Sequence, residues 1–187
     1  MKKYIYIIIS VLLIGTIGNS IYKQMNKKSA KAARILCHKN STVFEKLLKP
    51  NLLTKLQADI KNGNIIVTVE EEKAKYMKSR LFDFVNKNEI KDKFEKLLNI
   101  KDTVSSKDIT SVNILIYEND KEDPGKKTKK SKLYAGYLVF SFKVDKTMVY
   151  KLQIDFMDHE GKDIPKILEC ALKSINTLKT KDNKNGK

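Results

Sequence analysis

Very little in this chain is suited to chemistry. It has two histidines, His38 and His159, two cysteines, Cys37 and Cys170, and two arginines, Arg34 and Arg80, among 187 residues. Two cysteines allow at most one bridge, which excludes a disulfide framework as the source of the fold. Two histidines leave a histidine-based catalytic or metal site little to draw on. No glycine-rich phosphate loop, H-E-x-x-H, C-x-x-C or G-x-S-x-G occurs, so the common nucleotide, zinc-protease, redox and hydrolase signatures are missing. The shortage of arginine argues against nucleic acid, since arginine is the usual reader of base edges.

Acid is also missing where it would matter for charge. Residues 1–44 carry eight basic groups and no carboxylate; the first is Glu45. Residues 118–132 add six lysines against four acids, and residues 173–187 add five lysines against Asp182. These three segments supply +8, +2 and +4 of the formal +16. The basicity therefore sits on the flanks and one loop, and the remainder is close to neutral.

What is there begins with an apolar run, Tyr4–Ile17, behind Lys2 and Lys3. Tyr4 to Tyr22 as a helix would reach roughly 28 Å, enough to cross the hydrocarbon layer. We expect residues 1–22 to form a signal-anchor, a single transmembrane helix, the alternative being a signal peptide cut after Ser20. Residues 23–40 then read as a basic juxtamembrane helix, with Ala30, Ala33 and Cys37 on one stripe. The two-lysine start places the C-terminal domain outside the cytoplasm. The count of Lys23, Lys27, Lys28, Lys31, Arg34 and Lys39 beyond the run argues for the opposite side. Export is the reading adopted, with secretion after cleavage or a cytoplasmic domain as the alternatives.

Residues 41–178 pattern as one α+β domain. Helices are expected over Val43–Leu48, ended by Pro50, and over Leu52–Ile60. Ile65–Val69 reads as a strand, Glu70–Glu72 as the acidic start of a helix through Val85, and Glu89–Asn99 as a further helix. Three amphipathic strands follow, Thr110–Glu118, Leu133–Lys143 and Met148–Met157, with apolar residues at even positions in the last two. Facing residues must then sum to an even number, which predicts an odd-length hairpin loop. Asp163 and Pro165 open a closing helix with Ile164, Ile167, Leu168, Ala171, Leu172, Ile175 and Leu178 on one stripe. The tail, 179–187, has no apolar residue and reads as disordered. The expected architecture is helices on one face of an antiparallel sheet of about four strands, as in cystatin-like and NTF2-like packing, a likeness of fold type without any shared motif.

Candidate site residues are few. In "DFMDHEGKD", Asp155, Asp158 and Glu160 are weak candidates for metal ligands, or an acid–base pair, around His159. As an EF-hand loop the stretch fails, because aligning Gly161 puts Phe156 and Ile167 at ligand positions. The plainer reading is a strand-to-helix turn. Cys37 and Cys170 could form a disulfide tying the first helix to the last in an exported domain, an option the sequence leaves open because Cys170 falls well off the apolar stripe of its helix. Lys126, Lys127, Lys129, Lys130 and Lys132 could contact lipid head groups or another polyanion, or form a solvated loop. No cofactor is expected, and the chain is more readily a binding protein than an enzyme. The partners it calls for are the membrane, through the N-terminal helix, and another protein of a membrane-associated complex. The alternatives are an enzyme using the Asp155–Asp163 carboxylates, and a cytoplasmic-facing domain that binds polyanions or head groups.

Overall fold

The computed structural model describes residues 33–100, 109–126, 128 and 133–179. The chain divides into two units, Met1–Leu36 and Cys37–Lys187, and the second is the α+β domain. The expected membrane helix, most of the basic juxtamembrane helix and the tail from 180 onward lie outside the described residues. Among the described residues no helix is long and apolar enough to cross a membrane.

The domain runs β1 (Val43–Leu47), α1 (Leu53–Asn62), β2 (Ile66–Glu72), α2 (Lys87–Leu98), β3 (Thr110–Glu118), β4 (Gly136–Val144), β5 (Thr147–Phe156) and α3 (Ile164–Asn176). The five strands form one mixed sheet in the order β1-β5-β4-β3-β2. β1–β5, β5–β4 and β4–β3 are antiparallel, and β2–β3 is parallel.

One sheet face is the core. Val112, Ile114 and Ile116 of β3, Leu138, Phe140 and Phe142 of β4, and Tyr150, Leu152, Ile154 and Phe156 of β5 are all essentially inaccessible to water. Their alternation with half-buried neighbours in β3 is the period-2 signature of a sheet covered on one side. The helices contribute Leu53, Leu56 and Ile60 from α1, Ile90, Phe94 and Leu98 from α2, and Ile164, Ile167, Leu168, Ala171 and Ile175 from α3. Phe94, Phe140, Phe142 and Tyr150 form an aromatic row with ring centroids 5.7, 6.4 and 5.9 Å apart. The Tyr150 hydroxyl donates to Glu45 Oε2 at 2.6 Å, which satisfies the one polar atom of that row.

Helix ends are closed by local chemistry. Asn86 caps α2 by accepting from the Asn88 amide at 2.8 Å. Gly63 (φ 72) and Asn99 (φ 50) end α1 and α2 in the left-handed conformation. Only glycine fits at 63, where a Cβ would stand 2.3 Å from the Asn99 carbonyl oxygen. Gln57 Nε2 donates to the Ile175 and Leu178 carbonyls, so α1 satisfies the open end of α3.

Four expectations are corrected. Val43–Leu47 is an edge strand, not a helix: the segment is too short between Ser41 and Pro50 to build stable helical turns, and pairing with β5 supplies its hydrogen bonds. Glu70–Glu72 prolongs β2, pairing with Leu115, Ile116 and Tyr117, instead of opening a helix. The stretch behind it is irregular, with a single 3₁₀ turn at Leu81–Asp83. The sheet has five strands and is mixed, because α2 lies between β2 and β3 and a helical crossover returns the chain in the same direction. Finally, the β4–β5 loop is the two-residue Asp145-Lys146, not an odd-length loop. Val144 pairs with Thr147 and Lys143 with Met148, but Phe142 pairs with Tyr150, so Val149 is an extra residue in a β-bulge. The bulge restores the even-sum register that the apolar pattern demands.

Candidate functional site

The Asp155–Asp163 turn is built by its own carboxylates. Asp158 Oδ1 accepts from the amides of Glu160 and Lys162, which hold its carboxyl below the usual range. Asp163 Oδ2 accepts from the Met157 and Asp158 amides and makes no side-chain cap to α3. Glu160 pairs with Lys162. Gly161 (φ 71) is buried against Val85 and Ile164, where a Cβ would stand 2.5 and 2.9 Å from their side chains. Asp155 belongs to β5 and is 7% exposed; burial raises its carboxyl above the usual range despite hydrogen bonds from Gln153 and Thr42. Each carboxylate thus has a separate structural engagement. His159 Nε2 lies 3.0 Å from Lys121 Nζ, on the rim of a cleft of about 510 Å³ that Met77, Arg80, Leu81 and Ala135 also line.

Residues 73–81 owe their course to two buried carboxylates. Glu118 Oε2 accepts from the Ala74 amide, and its Oε1 from the Arg80 and Leu81 amides at 2.9 and 3.0 Å. Asp120 Oδ2 accepts from the Lys75 and Tyr76 amides at 2.7 and 2.6 Å. Burial pushes both carboxyls up, but these donors outweigh it and both titrate below the usual range. The donors to Glu118 include the Ser79 hydroxyl and those to Asp120 the Glu122 amide, while the nearby Lys126 charge also favours the Asp120 carboxylate. Sequence reasoning missed both residues. A signal existed: Glu118 continues the inward parity of Val112, Ile114 and Ile116.

Of the five candidate lysines, Lys126 is described in the structure. Its ammonium donates to Asn119 Oδ1 and to the Asp120 carbonyl, and stands 5.6 Å over the Tyr117 ring. It pins the start of its loop. Lys127, Lys129, Lys130 and Lys132 lie outside the described residues.

Cys37 and Cys170 are joined, with Sγ–Sγ 2.05 Å and Cα–Cα 5.9 Å. Cys170 is 4% exposed, so its position off the main stripe of α3 gives it a second buried direction, toward the 3₁₀ turn Leu36–Asn40. His38 is buried beside the bridge, 2.7 Å from Ser174 Oγ.

The sheet face away from the helices has its own character. Tyr117 and Tyr137 stack at 4.3 Å, with Tyr134 tilted against Tyr137 at 6.4 Å; burial pushes the Tyr137 phenol well above its ordinary value. Leu115 and Val139, directly cross-strand, extend this apolar centre. Phe44 and Ile66, at the two edge strands, are exposed. Lys46 lies directly across from Lys151, and Lys151 across from Ser141, two residues before Lys143. One end of this face therefore carries three lysines, while Glu70 and Glu72 mark the β2 edge.

Comparison of the chain with protein-family models, with curated proteins and with solved structures finds no match.

Proposed function

We propose that this chain is a non-enzymatic, membrane-anchored envelope protein whose exported domain docks another protein of a membrane-associated complex on the open face of its sheet. The observation that carries this reading is that face: an aromatic and aliphatic centre between exposed Phe44 and Ile66, with Lys46, Lys143 and Lys151 at one end. Like charges placed directly across a ladder repel, and an acidic segment of a partner laid along Lys46 and Lys151 would relieve that repulsion. Aromatic residues at the centre with charge at the rim is the usual layout of a protein interface. The anchor and the export rest on the apolar run behind Lys2 and Lys3.

A photo-crosslinking residue at position 44 or 137, in cells, tests the docking face. The expected result is one discrete adduct that Lys46→Glu with Lys151→Glu abolishes and that the same probe at Lys93 of α2 does not form. Equal labelling from position 93, or an adduct indifferent to the charge reversal, would sink the proposal. Reporter fusions after Lys187, one active outside and one inside, report the side independently.

A second reading, an enzyme, draws on the cleft beside the Asp155–Asp163 turn, which His159, Lys121 and Arg80 line. Alanine at Asp158, His159 and Glu160 with full retention of the cellular phenotype would remove it.

A further inference from the structure

We propose that the Cys37–Cys170 pair, when reduced, forms with His38 a buried site for zinc or a similar thiolate-seeking divalent cation. The bridge and the metal would be alternative occupants of one place in the fold. Among the described residues, Cys37, His38 and Cys170 are the one set of three whose ligand atoms gather, all within 4.8 Å of one another. A tetrahedral zinc holds sulfur at about 2.3 Å and imidazole nitrogen at about 2.0 Å, which sets ligand atoms roughly 3.5–3.8 Å apart. The three ligand atoms therefore stand within about an ångström of that spacing or closer. Once the sulfurs are no longer bonded, side-chain rotation at Cys37 and Cys170 can separate them by the remaining distance.

Chemistry and surroundings agree with this geometry. Two thiolates and a neutral imidazole favour zinc over harder cations. Two thiolate charges also neutralise the dication, so the centre carries no net charge into a buried place. His38 is 8% exposed, Cys170 4% and Ser174 fully buried, while Cys37 is half-buried and gives a path in. Ser174 Oγ donates to the Cys170 carbonyl at 2.7 Å and lies 2.7 Å from His38 Nε2. One ring nitrogen is thereby held and the imidazole oriented, the outer contact that metal-bound histidines take. A water completes the fourth position.

The two states interconvert by ordinary chemistry. A two-electron reductant breaks the S–S bond and two protons complete two thiols. With a phosphine, the phosphine becomes its oxide, taking its oxygen from water. Zinc then displaces the two thiol protons to solvent and keeps its oxidation state.

The test is Co²⁺ titration of the full chain, phosphine-reduced and oxidised, followed by Zn²⁺ displacement. The expected result is one Co²⁺ per reduced chain with sulfur-to-cobalt charge-transfer bands and tetrahedral visible bands, lost on adding Zn²⁺, and neither in the oxidised chain. His38→Ala and Cys170→Ser should weaken binding at least 10-fold and His159→Ala should leave it unchanged. Ser174→Ala, which keeps all three ligands, should weaken it about 10-fold. A reduced chain that stays folded by circular dichroism yet shows no bands overturns the site, as does a His38→Ala chain that binds equally well. If reduction unfolds the chain, recovery of the folded spectrum on adding Zn²⁺ supports the site and failure to recover it counts against it.

Discussion

Glu118 and Asp155 are both nearly inaccessible acids on the same sheet, and they respond to pH with opposite sign. Glu118 and its neighbour Asp120 have folded-state values below those of the unfolded chain, Glu118 held there by the Ser79 hydroxyl and the Arg80, Leu81 and Ala74 amides, Asp120 by the Tyr76, Lys75 and Glu122 amides. Their contribution is complete above about pH 4, the unfolded carboxyl range, and is lost as pH falls through the folded values. Asp155 is raised by burial. Its contribution is complete below the unfolded value near pH 3.9 and is lost as pH rises through the folded one. Two unfolding curves against pH separate them. Glu118→Ala should cost about 1–3 kcal/mol at neutral pH, by leaving amides of the 74–81 segment without an acceptor, and that deficit should shrink in acid as the wild-type carboxylate loses its charge. Asp155→Asn should instead gain stability at pH 7 and gain none near pH 3. A neutral-pH effect of Glu118→Ala that persists unchanged at pH 3 would refute the assignment. At this scale the sequence was least legible. An acid at an inward parity position is visible, but the amides that receive it lie some forty residues earlier, and composition does not point to them.

Elements were legible where one periodicity ruled a long run, and misread where an apolar pattern was short. β3 spans the expected Thr110–Glu118, and α1, α2 and α3 fall within a few residues of their expected positions, because each carries a full stripe of core residues. Val43–Leu47 holds too few side chains to tell strand from helix, and its partner β5 decides. Glu70–Glu72 resembles a helix start by charge, yet strand pairing with β3 outweighs a macrodipole preference of this kind, worth under about 1 kcal/mol on an exposed end. The hairpin shows the same hierarchy. The facing-residue parity was readable and the bulge that achieves it was not, since a two-residue turn and one extra residue leave the same pattern as an odd loop. A pair of deletions checks this. Removing Val149 should leave every pairing beyond Phe142↔Tyr150 in place and cost about 2 kcal/mol, the burial of one valine. Removing Lys151 should turn Leu152, Ile154 and Phe156 to the wrong face and abolish folding. Equal losses in thermal melts would refute the bulge assignment.

For the whole molecule, the bridge and the sheet order are the dominant constraints. Cys37 and Cys170 are 133 residues apart and enclose every strand, so the covalent link restricts nearly the entire unfolded domain. Loop-closure entropy for a chain of this length corresponds to about 5 kcal/mol. Urea melts of oxidised and reduced protein in chelator should differ by up to that amount, with the oxidised midpoint higher; coincident curves would show that the bridge does not constrain the unfolded state. The pairing of two lone cysteines was readable as an option from their number, but their proximity depends on α3 and the 3₁₀ turn at Leu36–Asn40, which periodicity alone could not bring together. The open sheet face proposed for docking was partly legible. Its tyrosines lie on recognisable strands, whereas the cross-strand meeting of Lys46 and Lys151 required knowing that Val43–Leu47 is a strand at all.

The strand order also has a consequence in time. β1 is among the first parts of the domain to be made and β5 is the last strand, yet Val43 pairs with Ile154 and Leu47 with Tyr150. A chain that leaves the ribosome or crosses a membrane N-terminus first therefore exposes β1 before its partner exists. The exposed Phe44 side chain and an unpaired edge must wait for nearly the whole domain to follow, and Cys37 must wait still longer for Cys170. Non-local pairing of this kind slows folding, and neither the β1–β5 pairing nor the bridge can form before β5 and Cys170 have been made.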